Sequence, residues 1–440
     1  MDVNGKQVVV LGLGISGMEA AKLLKEKGAH VTVRDNASNN AVVNQRAETL
    51  RQRGIDVELG AAIPATDRFD FCVLSPGINS NAPLVQRLTK AGLPIFGELE
   101  VAYRFCQCPI VAITGTNGKT TTTELVNAVL AAGGKRTKAS GNIGTAFSAA
   151  VRDSANLDLM VVEVSSFQLE NITEFRPHIS VHLNLTPDHL DRYKTMEEYE
   201  AAKWQIFRNQ TADDYAIVNT NLRLPAMKAQ KITLSATGSP ADYQLIDGFL
   251  VVRGLRVLEQ SQTNLIGPHN AENMLVALAV ADLYKIPRAA AIQALCVYKP
   301  LPHRLEKVGE IDGVTFLNDS KATNIDAVEK ALLAMRSPVV LLAGGKDKGL
   351  NFDGLLPLVR EKVKAVVLIG QMTEMLFSAW NSDVPCVRAT SLADAVERTQ
   401  KLAKRGDVVL FSPGCSSYDM FKDFEDRGDQ FRALIQAKQS

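Results

Sequence analysis

The fold is indicated most clearly by residues 110–120, which read IVAITGTNGKT. The apolar run 110–113 predicts a strand, the glycine-containing loop follows it, and residues 121–132 have the composition of a helix. Backbone N–H groups in such a loop cradle phosphates, Lys119 would reach the outer phosphates, and the Thr120 hydroxyl would hold Mg²⁺. This strand–loop–helix context predicts a phosphate-binding loop rather than an incidental turn.

The loop is a short variant of the P-loop. A complete P-loop has a glycine five residues before Gly118, where this chain has Ile113. The candidate nucleotide-binding residues are Gly115, Thr116, Asn117, Gly118, Lys119 and Thr120.

Short apolar runs alternate with helical stretches on both sides of the loop. The runs outside the loop region are 7–11, 29–33, 71–74, 159–164, 179–185, 314–317, 339–343, 366–369 and 408–411, and one of the helical stretches is 18–27. This alternation predicts an α/β fold with parallel sheets. The polar stretch 235–262 predicts small antiparallel strands.

The length of 440 residues predicts more than one domain. We place boundaries near Gly97, before the central loop region, and at the proline-containing connector 299–302. The predicted domains are 1–97, 98–302 and 303–440.

Composition excludes several classes of protein. Lys plus Arg number 49 and Asp plus Glu number 48, so the net charge of +1 argues against a basic nucleic-acid-binding surface. No apolar run is long enough for a membrane-spanning helix, and the first residues do not resemble a secretion signal. Of the six cysteines only Cys106 and Cys108 are close, and they lack zinc spacing. We expect a cytoplasmic protein with reduced thiols and no membrane insertion.

A second glycine-rich turn lies near the start of the chain. Residues 12–17 read GLGISG between a predicted strand and helix, and Asp35 follows at the end of the next strand. This spacing is typical of a dinucleotide site for NAD or FAD. It also fits another nucleotide such as a UDP group, or a turn that only packs helix on strand.

Candidate metal ligands follow the central loop. Glu163 ends an apolar strand, where it would either bind a metal or cap a helix, and His189 lies in a polar loop between acidic residues. We favour a ligand role for both and a structural role for His182. Lys203, on a predicted helix, has the pattern of a surface lysine and by itself indicates no role.

Two polar strings lie near the second boundary. LPHR at 301–304 could place the Arg304 guanidinium on a phosphate, and NDSKATN at 318–324 is either a binding loop or a solvated turn.

Taken together, several strings resemble the Mur ligases. These are GTNGKT at 115–120, GNIG at 141–144, EVSSFQL at 163–169, TPDHLDR at 186–192, YEAAK at 199–203, HNAEN at 269–273, LPHR at 301–304 and NDSKATN at 318–324. The resemblance covers nearly the whole chain, although the related folylpolyglutamate synthases share the central motifs. The last two strings and SPGCSSYDMFKDF at 412–424 point to the D-glutamate-adding branch. The DNPR string of the diaminopimelate-adding branch is absent from the sequence.

The resemblance implies an α/β enzyme of three domains. An N-terminal Rossmann-like domain would bind UDP rather than NAD, a central P-loop ATPase-like domain with a mostly parallel sheet would bind ATP, and a C-terminal Rossmann-like domain would bind D-glutamate. The implied activity is ATP-dependent addition of D-glutamate to UDP-N-acetylmuramoyl-L-alanine through an acyl phosphate, in cytoplasmic peptidoglycan precursor synthesis. We expect a monomer that binds no nucleic acid.

The resemblance also assigns roles to single residues. Lys119, Glu163, His189 and Lys203 would form the catalytic centre, with two Mg²⁺ ions held by Thr120, Glu163, His189 and a carbamylated Lys203. Carbamylation would convert the lysine side chain from a cation into a carbamate anion, which Mg²⁺ stabilises. Further nucleotide contacts would come from Asn273, Arg304 and Asp319. The UDP-muramoyl substrate would contact Ile15, Ser16, Asp35, Asn36 and Asn142, and D-glutamate would contact Lys321, Thr323, Lys348, Ser417 and Phe424.

Two positions depart from the family pattern. Related enzymes often have a basic residue soon after the position of Asp35, where this chain continues Asn36-Ala37-Ser38, and Tyr418 replaces a smaller apolar residue. The rival functions are an NAD-dependent oxidoreductase, a folylpolyglutamate synthase-type ligase and a non-catalytic nucleotide-binding regulator.

Overall fold

The computed structural model describes residues 1–38, 40–60, 68–80, 82–189, 192–347, 349 and 352–439. Its contacts divide the chain into two compact units. The first contains Met1–Gln244, Val251–Val257 and Glu272–Leu295, and the second contains Leu245–Leu250, Leu258–Ala271 and Cys296–Ser440.

The N-terminal sheet is Rossmann-like. Its elements are β1 (Gln7–Leu11), α1 (Ile15–Glu26), β2 (His30–Asp35), α2 (Ala41–Arg51), β3 (Asp56–Leu59), β4 (Phe71–Leu74), α3 (Pro83–Lys90), β5 (Ile95–Gly97) and α4 (Glu98–Tyr103). The five strands run parallel in the order β3-β2-β1-β4-β5. The order reverses between β1 and β4, and such a switch point is where open α/β sheets bind ligands.

The central sheet carries the glycine-containing loop 115–120, which is called the phosphate loop below. Its elements are β6 (Ile110–Thr114), α5 (Lys119–Ala132), β7 (Thr137–Gly141), α6 (Phe147–Ala150), β8 (Leu159–Glu163), α7 (Ser166–Leu169), β9 (Ile179–His182), α8 (Met196–Trp204), β10 (Tyr215–Asn219), β11 (Gln230–Ser235), β12 (Tyr243–Ile246), β13 (Phe249–Val252), β14 (Leu255–Glu259), α9 (Pro268–Leu283) and α10 (Arg288–Val297). The strand order is β14-β13-β12-β11-β10-β9-β6-β8-β7. Strand β6 therefore lies between β8 and β9, the strands that carry Glu163 and lead towards His189.

The C-terminal sheet is also Rossmann-like. Its elements are β15 (Glu306–Ile311), β16 (Val314–Asn318), α11 (Ile325–Leu333), β17 (Val339–Gly344), α12 (Leu356–Lys362), β18 (Val363–Ile369), α13 (Thr373–Trp380), β19 (Cys386–Arg388), α14 (Leu392–Leu402), β20 (Val408–Phe411) and α15 (Phe424–Ala437). The strand order is β15-β16-β20-β17-β18-β19, parallel except for the antiparallel edge strand β15.

The apolar runs become strands because helices cover both faces of the sheets. Every residue of β4, β6, β8 and β17 is buried, as is typical of parallel strands. The α/β fold class predicted from the sequence is confirmed, while the domain boundaries stay predictions. Among the described residues, no helix has the length and apolar character that crossing a membrane requires.

Two local predictions need correction. The helix predicted over 18–27 begins at Ile15, directly after Gly14 in extended conformation. The strand predicted over 179–185 ends at His182, because the chain then turns against the phosphate loop.

Candidate active site

The phosphate loop depends on two glycines. Gly118 has φ +83° directly before α5, and a Cβ there would lie 2.7 Å from Asn273 Oδ1. Gly115 has φ +155°, and its Cβ would lie 3.0 Å from Leu183 Cβ. L residues with a side chain rarely adopt these backbone angles, so the loop geometry requires glycine at both positions.

Asn184 holds the loop in place from the end of β9. Its Oδ1 accepts the N–H groups of Thr116 at 3.2 Å and Asn117 at 2.9 Å, and its Nδ2 donates to the Asn117 carbonyl at 3.1 Å. Lys119 Nζ donates to the carbonyls of Gly115 at 3.1 Å and Thr116 at 2.8 Å. Asn184 is not recognisable as a site residue from the sequence, because no local pattern reveals a contact between residues so far apart in the chain.

Glu163 and Thr120 meet beside the loop. Strand β8 pairs with β6 so that Glu163 lies opposite Ile113. The carboxylate is 2% exposed and accepts hydrogen bonds from Thr120 Oγ1 at 2.8 Å and Asn142 Nδ2 at 3.1 Å. The candidate metal ligands Glu163 and Thr120 and the candidate substrate contact Asn142 therefore form one cluster.

This cluster offers oxygen ligands of the kind that Mg²⁺ prefers. In the described part of the chain, no group of three or more His, Cys, Asp or Glu side chains forms a complete metal cage. The carboxylate of Glu163 and the hydroxyl of Thr120 therefore fit a Mg²⁺ ion that takes its remaining ligands from phosphate oxygens and water, as is common for this ion.

Lys203 is buried, so the interpretation of this residue as a surface lysine is wrong. Its side chain is 1% exposed, and Nζ donates to the Gly115 carbonyl at 2.7 Å. Burial and the neighbouring Lys119 hold the pKa of Lys203 well below its usual value, although Asp188 and Glu163 act in the opposite direction. Packing of α8 against the loop, which a local pattern does not reveal, accounts for the difference.

The aromatic side chain of Tyr199 links Lys203 to His189. Lys203 Nζ lies 4.6 Å from the centroid of the Tyr199 ring, and the centroid of the His189 ring lies 6.0 Å from the same point. His189 is half-exposed, has φ +56° and lies 4.7 Å from the ring of Phe167. His182 is fully buried, and burial lowers its pKa to about 3, which agrees with a structural role.

Asn273 contacts the first turn of α5. Its Oδ1 accepts a hydrogen bond from Thr122 Oγ1 at 2.9 Å. The first compact unit therefore brings Asn273 to the same loop as Lys119.

The N-terminal glycine turn is held by Asp35. Its two carboxylate oxygens accept the N–H groups of Leu13 at 2.7 Å and Ala37 at 2.8 Å. A Cβ at Gly17 would lie 2.0 Å from the Gly12 carbonyl, so close packing of α1 on β1 requires glycine there. Around this turn Ile15 and Asn36 are exposed and Ser16 is half-buried.

A partly buried arginine connects this N-terminal sheet to the central sheet. Arg192 donates to both oxygens of Glu170, at 2.9 and 2.6 Å, and to the carbonyls of Pro76 at 3.1 Å and Ile78 at 3.2 Å. Its guanidinium also lies 4.1 Å from the Phe167 ring centroid. Arg192 thereby fixes the loop that follows β4. The residue is the last of the sequence motif TPDHLDR, but the motif does not indicate this role.

In the second unit, Asp319 is buried beneath the connector. It accepts hydrogen bonds from Ser412 Oγ at 2.8 Å and the Leu305 N–H at 3.2 Å. Burial raises the pKa of Asp319 to about 7, against the opposing effects of Ser412, Leu305 and Arg304. Arg304 is half-buried in the same connector.

The candidate glutamate contacts form a second cluster. Lys321 Nζ lies 3.6 Å from the centroid of the Phe424 ring, while Thr323 is half-buried and Ser417 is buried. Tyr418 is 68% exposed. Lys348 lies outside the described residues.

Arg427, which the sequence analysis missed, joins the two loops of this cluster. Its side chain is almost fully buried and donates to Ser320 Oγ at 2.9 Å, the Ser320 carbonyl at 2.7 Å and the Cys415 carbonyl at 3.1 Å. Arg427 therefore positions the strings 318–324 and 412–418 relative to each other.

A glycine-containing loop between a strand and a helix, with an adjoining carboxylate and Rossmann-like sheets, is typical of nucleotide-dependent enzymes. Family models match residues 6–97 as the Mur ligase MurD-like N-terminal domain, 113–281 as the Mur ligase middle domain, and 303–415 as the Mur ligase glutamate ligase domain. The chain belongs to the Mur ligase family, the ATP-dependent ligases of peptidoglycan precursor synthesis.

Curated relatives match the chain over nearly their full length. The chain is 39% identical to a UDP-N-acetylmuramoylalanine–D-glutamate ligase of Geobacter metallireducens, over 99% of this chain and 98% of the relative. It is 41% identical to the enzyme of the same name from Acidobacterium capsulatum, over 99% and 97% of the two chains. Among solved structures, the UDP-N-acetylmuramate–alanine ligase MurC of Thermotoga maritima matches with a TM-score of 0.60 at 20% identity, over 98% and 99% of the two chains. That structural match supports the fold alone.

Proposed function

We propose that the protein joins D-glutamate to UDP-N-acetylmuramoyl-L-alanine, with ATP as the second substrate, in the cytoplasm. The terminal carboxylate of the UDP substrate attacks the γ-phosphorus of ATP, the bond to the β–γ bridging oxygen breaks, and an acyl phosphate forms as ADP leaves. The amine of D-glutamate then attacks the acyl carbon, an amide forms, and inorganic phosphate leaves. The observation that carries this proposal is the cluster of the phosphate loop, Thr120, Glu163 and buried Lys203, together with the names of the curated relatives.

The central residues would act mainly by positioning and by charge. Lys119 would move from the carbonyls it now contacts to the outer phosphates of ATP, while Thr120 and Glu163 would hold a first Mg²⁺. When bound, Mg²⁺ neutralises negative charge on the phosphoryl oxygens. His189 and Lys203 are proposed ligands of a second ion.

Carbamylation of Lys203 fits the surroundings of this amine. Only a neutral amine reacts with CO₂, and the lowered pKa of Lys203 favours the neutral form. The carbamate would place negative charge beside the phosphate loop, where a protonated lysine would repel a metal ion.

The outer sheets would supply the two organic substrates. Ile15, Ser16, Asp35 and Asn36 surround the turn at the switch point of the N-terminal sheet, which is proposed to bind the UDP group. The remaining proposed substrate contact in the first unit is Asn142, beside Glu163.

The C-terminal cluster is proposed to bind D-glutamate. Lys321 and Lys348 would interact with its carboxylates, and Thr323, Ser417 and Phe424 would complete the contacts. Asn273, Arg304 and Asp319 are proposed nucleotide contacts. We further propose a monomer that binds no nucleic acid.

Phosphate release with a panel of amino acids tests the substrate assignment. Purified protein receives ATP, Mg²⁺, UDP-N-acetylmuramoyl-L-alanine and one amino acid at a time. The proposal predicts release with D-glutamate and little with L-glutamate, glycine or L-alanine, and none from the Lys119→Ala variant. Release with L-glutamate and a folate, or nicotinamide-dependent hydride transfer, would overturn it.

A further inference from the structure

Glu170, directly after α7, accepts hydrogen bonds from two separate parts of the first unit. Its Oε2 accepts the Ser80 hydroxyl at 2.7 Å, and its Oε1 accepts the Tyr193 hydroxyl at 2.7 Å. Arg192 donates to both oxygens, at 2.9 and 2.6 Å. Each carboxylate oxygen thus accepts two donors, which uses the hydrogen-bonding capacity of the group. Glu170 therefore holds these three side chains in one arrangement, and no step of the proposed reaction uses it.

One side of this arrangement is the loop that follows β4. This loop lies directly against the N-terminal glycine turn, because a Cβ at Gly12 would lie only 2.9 Å from Ser75 Cβ. Further along the same loop, Ser80 Oγ donates to Glu170 and accepts Asn171 Nδ2 at 2.9 Å. Glu170 therefore fixes a loop that borders the proposed UDP site.

The other side leads to the phosphate loop through two tyrosines. Tyr193 is 7% exposed, and its ring centroid lies 5.2 Å from that of Tyr199, which is 1% exposed. The Tyr199 hydroxyl lies 3.4 Å from Thr116 Oγ1 in the phosphate loop. Because buried side chains are closely packed, a displacement of one ring displaces the next. Glu170, Tyr193 and Tyr199 therefore form a bridge between the loop after β4 and the phosphate loop.

We propose that Tyr193 is a positioning residue for phosphoryl transfer, which sets the distance between these two loops. The inference rests on the proposed function, in which one loop borders the UDP substrate and the other binds ATP. The bridge keeps the attacking carboxylate oxygen in line with the γ-phosphorus, and the rate of such a transfer depends steeply on alignment. Tyr193 acts through Glu170 and Tyr199 rather than on the reacting atoms.

Tyr193→Phe tests the hydroxyl alone, because the ring that packs on Tyr199 is kept. In rapid-quench single turnovers with ATP, Mg²⁺, UDP-N-acetylmuramoyl-L-alanine and D-glutamate, phosphate should form about 10-fold more slowly than in the wild type. Isothermal titration calorimetry should give dissociation constants for the UDP substrate and for a non-hydrolysable ATP analogue within about 2-fold of the wild-type values. A general loss of structure would weaken binding as well, so this combination identifies a positioning role.

Tyr243→Phe is the matched control. Tyr243 is also buried, and its hydroxyl donates to Asp282 Oδ2 at the same distance of 2.7 Å, where it links β12 to α9. This variant should react at the wild-type rate. A thermal melt shows whether each variant is folded.

A double variant tests the route through Glu170. In a Glu170→Ala background the acceptor of the Tyr193 hydroxyl is gone, so adding Tyr193→Phe should slow the reaction by less than about 2-fold. A wild-type rate in Tyr193→Phe, equal slowing in the two tyrosine variants, or an undiminished effect in the Glu170→Ala background would overturn the inference while leaving the proposed function intact. A wild type that releases no phosphate with these substrates would overturn the proposed function, and the inference with it.

Discussion

At the residue scale, Lys203 shows how burial changes the chemistry of a common side chain. An exposed lysine amine is protonated near neutral pH, whereas this amine lies 2.7 Å from the Gly115 carbonyl with its pKa lowered. The neutral form therefore appears at lower pH than in exposed lysines, and its fraction increases as pH rises through the folded pKa. The burial that makes the cation unfavourable favours the neutral amine, which is the form that the proposed carbamylation requires.

Carbamylation should consequently be observable at this residue. In ¹³C-labelled bicarbonate we expect a carbamate signal in the ¹³C NMR spectrum of the wild type that strengthens with pH and is missing from Lys203→Met. Removal of CO₂ from the buffer should lower kcat of the wild type several-fold. Identical carbamate signals in the wild type and Lys203→Met would contradict carbamylation of Lys203. A kcat that does not change when CO₂ is removed would also contradict it.

Glu163 provides a second test at this scale. Glu163→Gln keeps the side-chain shape but removes the charge, so kcat/KM should fall by about 100-fold or more, because metal ions contribute several kcal/mol to phosphoryl chemistry. The Mg²⁺ concentration for half-maximal activity should rise. The matched control is Glu124→Gln on α5, whose carboxyl pKa is raised by burial and by Glu163. An equal effect of both variants would argue against a metal role for Glu163.

Sequence patterns identify some residues of the site and miss others for physical reasons. Lys119 and Thr120 follow from a continuous motif, because one loop and one helix start position both. Asn184, Arg192 and Arg427 act through contacts with backbone groups far away in sequence, and no local spacing reveals such contacts. The burial of Lys203 is likewise a property of packing.

At the element scale, the phosphate loop depends on backbone geometry that glycine permits. Gly118→Ala should weaken binding of a non-hydrolysable ATP analogue by at least about 10-fold, because the new Cβ meets Asn273 Oδ1 and φ is positive. Isothermal titration calorimetry measures the affinity.

Gly134→Ala is the control that distinguishes backbone strain from a loss of nucleotide binding. Gly134 has φ +81°, close to that of Gly118, but nothing lies within 4 Å of its Cβ position. This variant should lose stability by about 1–2 kcal/mol and keep its ATP affinity. If both variants bind the analogue as the wild type does, the loop is not the nucleotide site.

Strands were predictable where both faces are buried. Continuous apolar runs such as 110–113 and 339–343 coincide with β6 and β17, because helices cover both sides of a parallel strand. Alternation of apolar and polar residues predicted too long a strand over 179–185. Strand β9 ends at His182, because the following residues contact the phosphate loop. The direction of β12 also depends on its partner strand rather than on its own residues.

At the scale of the whole molecule, Arg192 connects the N-terminal and central sheets. Arg192→Met should release the loop after β4, so KM for the UDP substrate should rise about 10-fold, because binding must then order a loop that is fixed in the wild type. KM for ATP should change little. Steady-state kinetics with each substrate varied in turn measures both values.

Arg152→Met is the matched control for this connection. Arg152 also connects the two sheets, through Glu19 and Glu26 of α1, but its hydrogen bonds within the described residues include none to the loop after β4 or to the phosphate loop. An increase in KM for the UDP substrate of the same size in both variants would show that general loosening, rather than the loop, is responsible.

The central claim is that a substrate carboxylate is activated by transfer of the terminal phosphate of ATP. UDP-N-acetylmuramoyl-L-alanine labelled with ¹⁸O in its terminal carboxylate, incubated with ATP and D-glutamate, tests this claim through mass analysis of the released phosphate. The account predicts one ¹⁸O atom in each phosphate released per amide formed. Unlabelled phosphate accompanying the labelled amide product would contradict it.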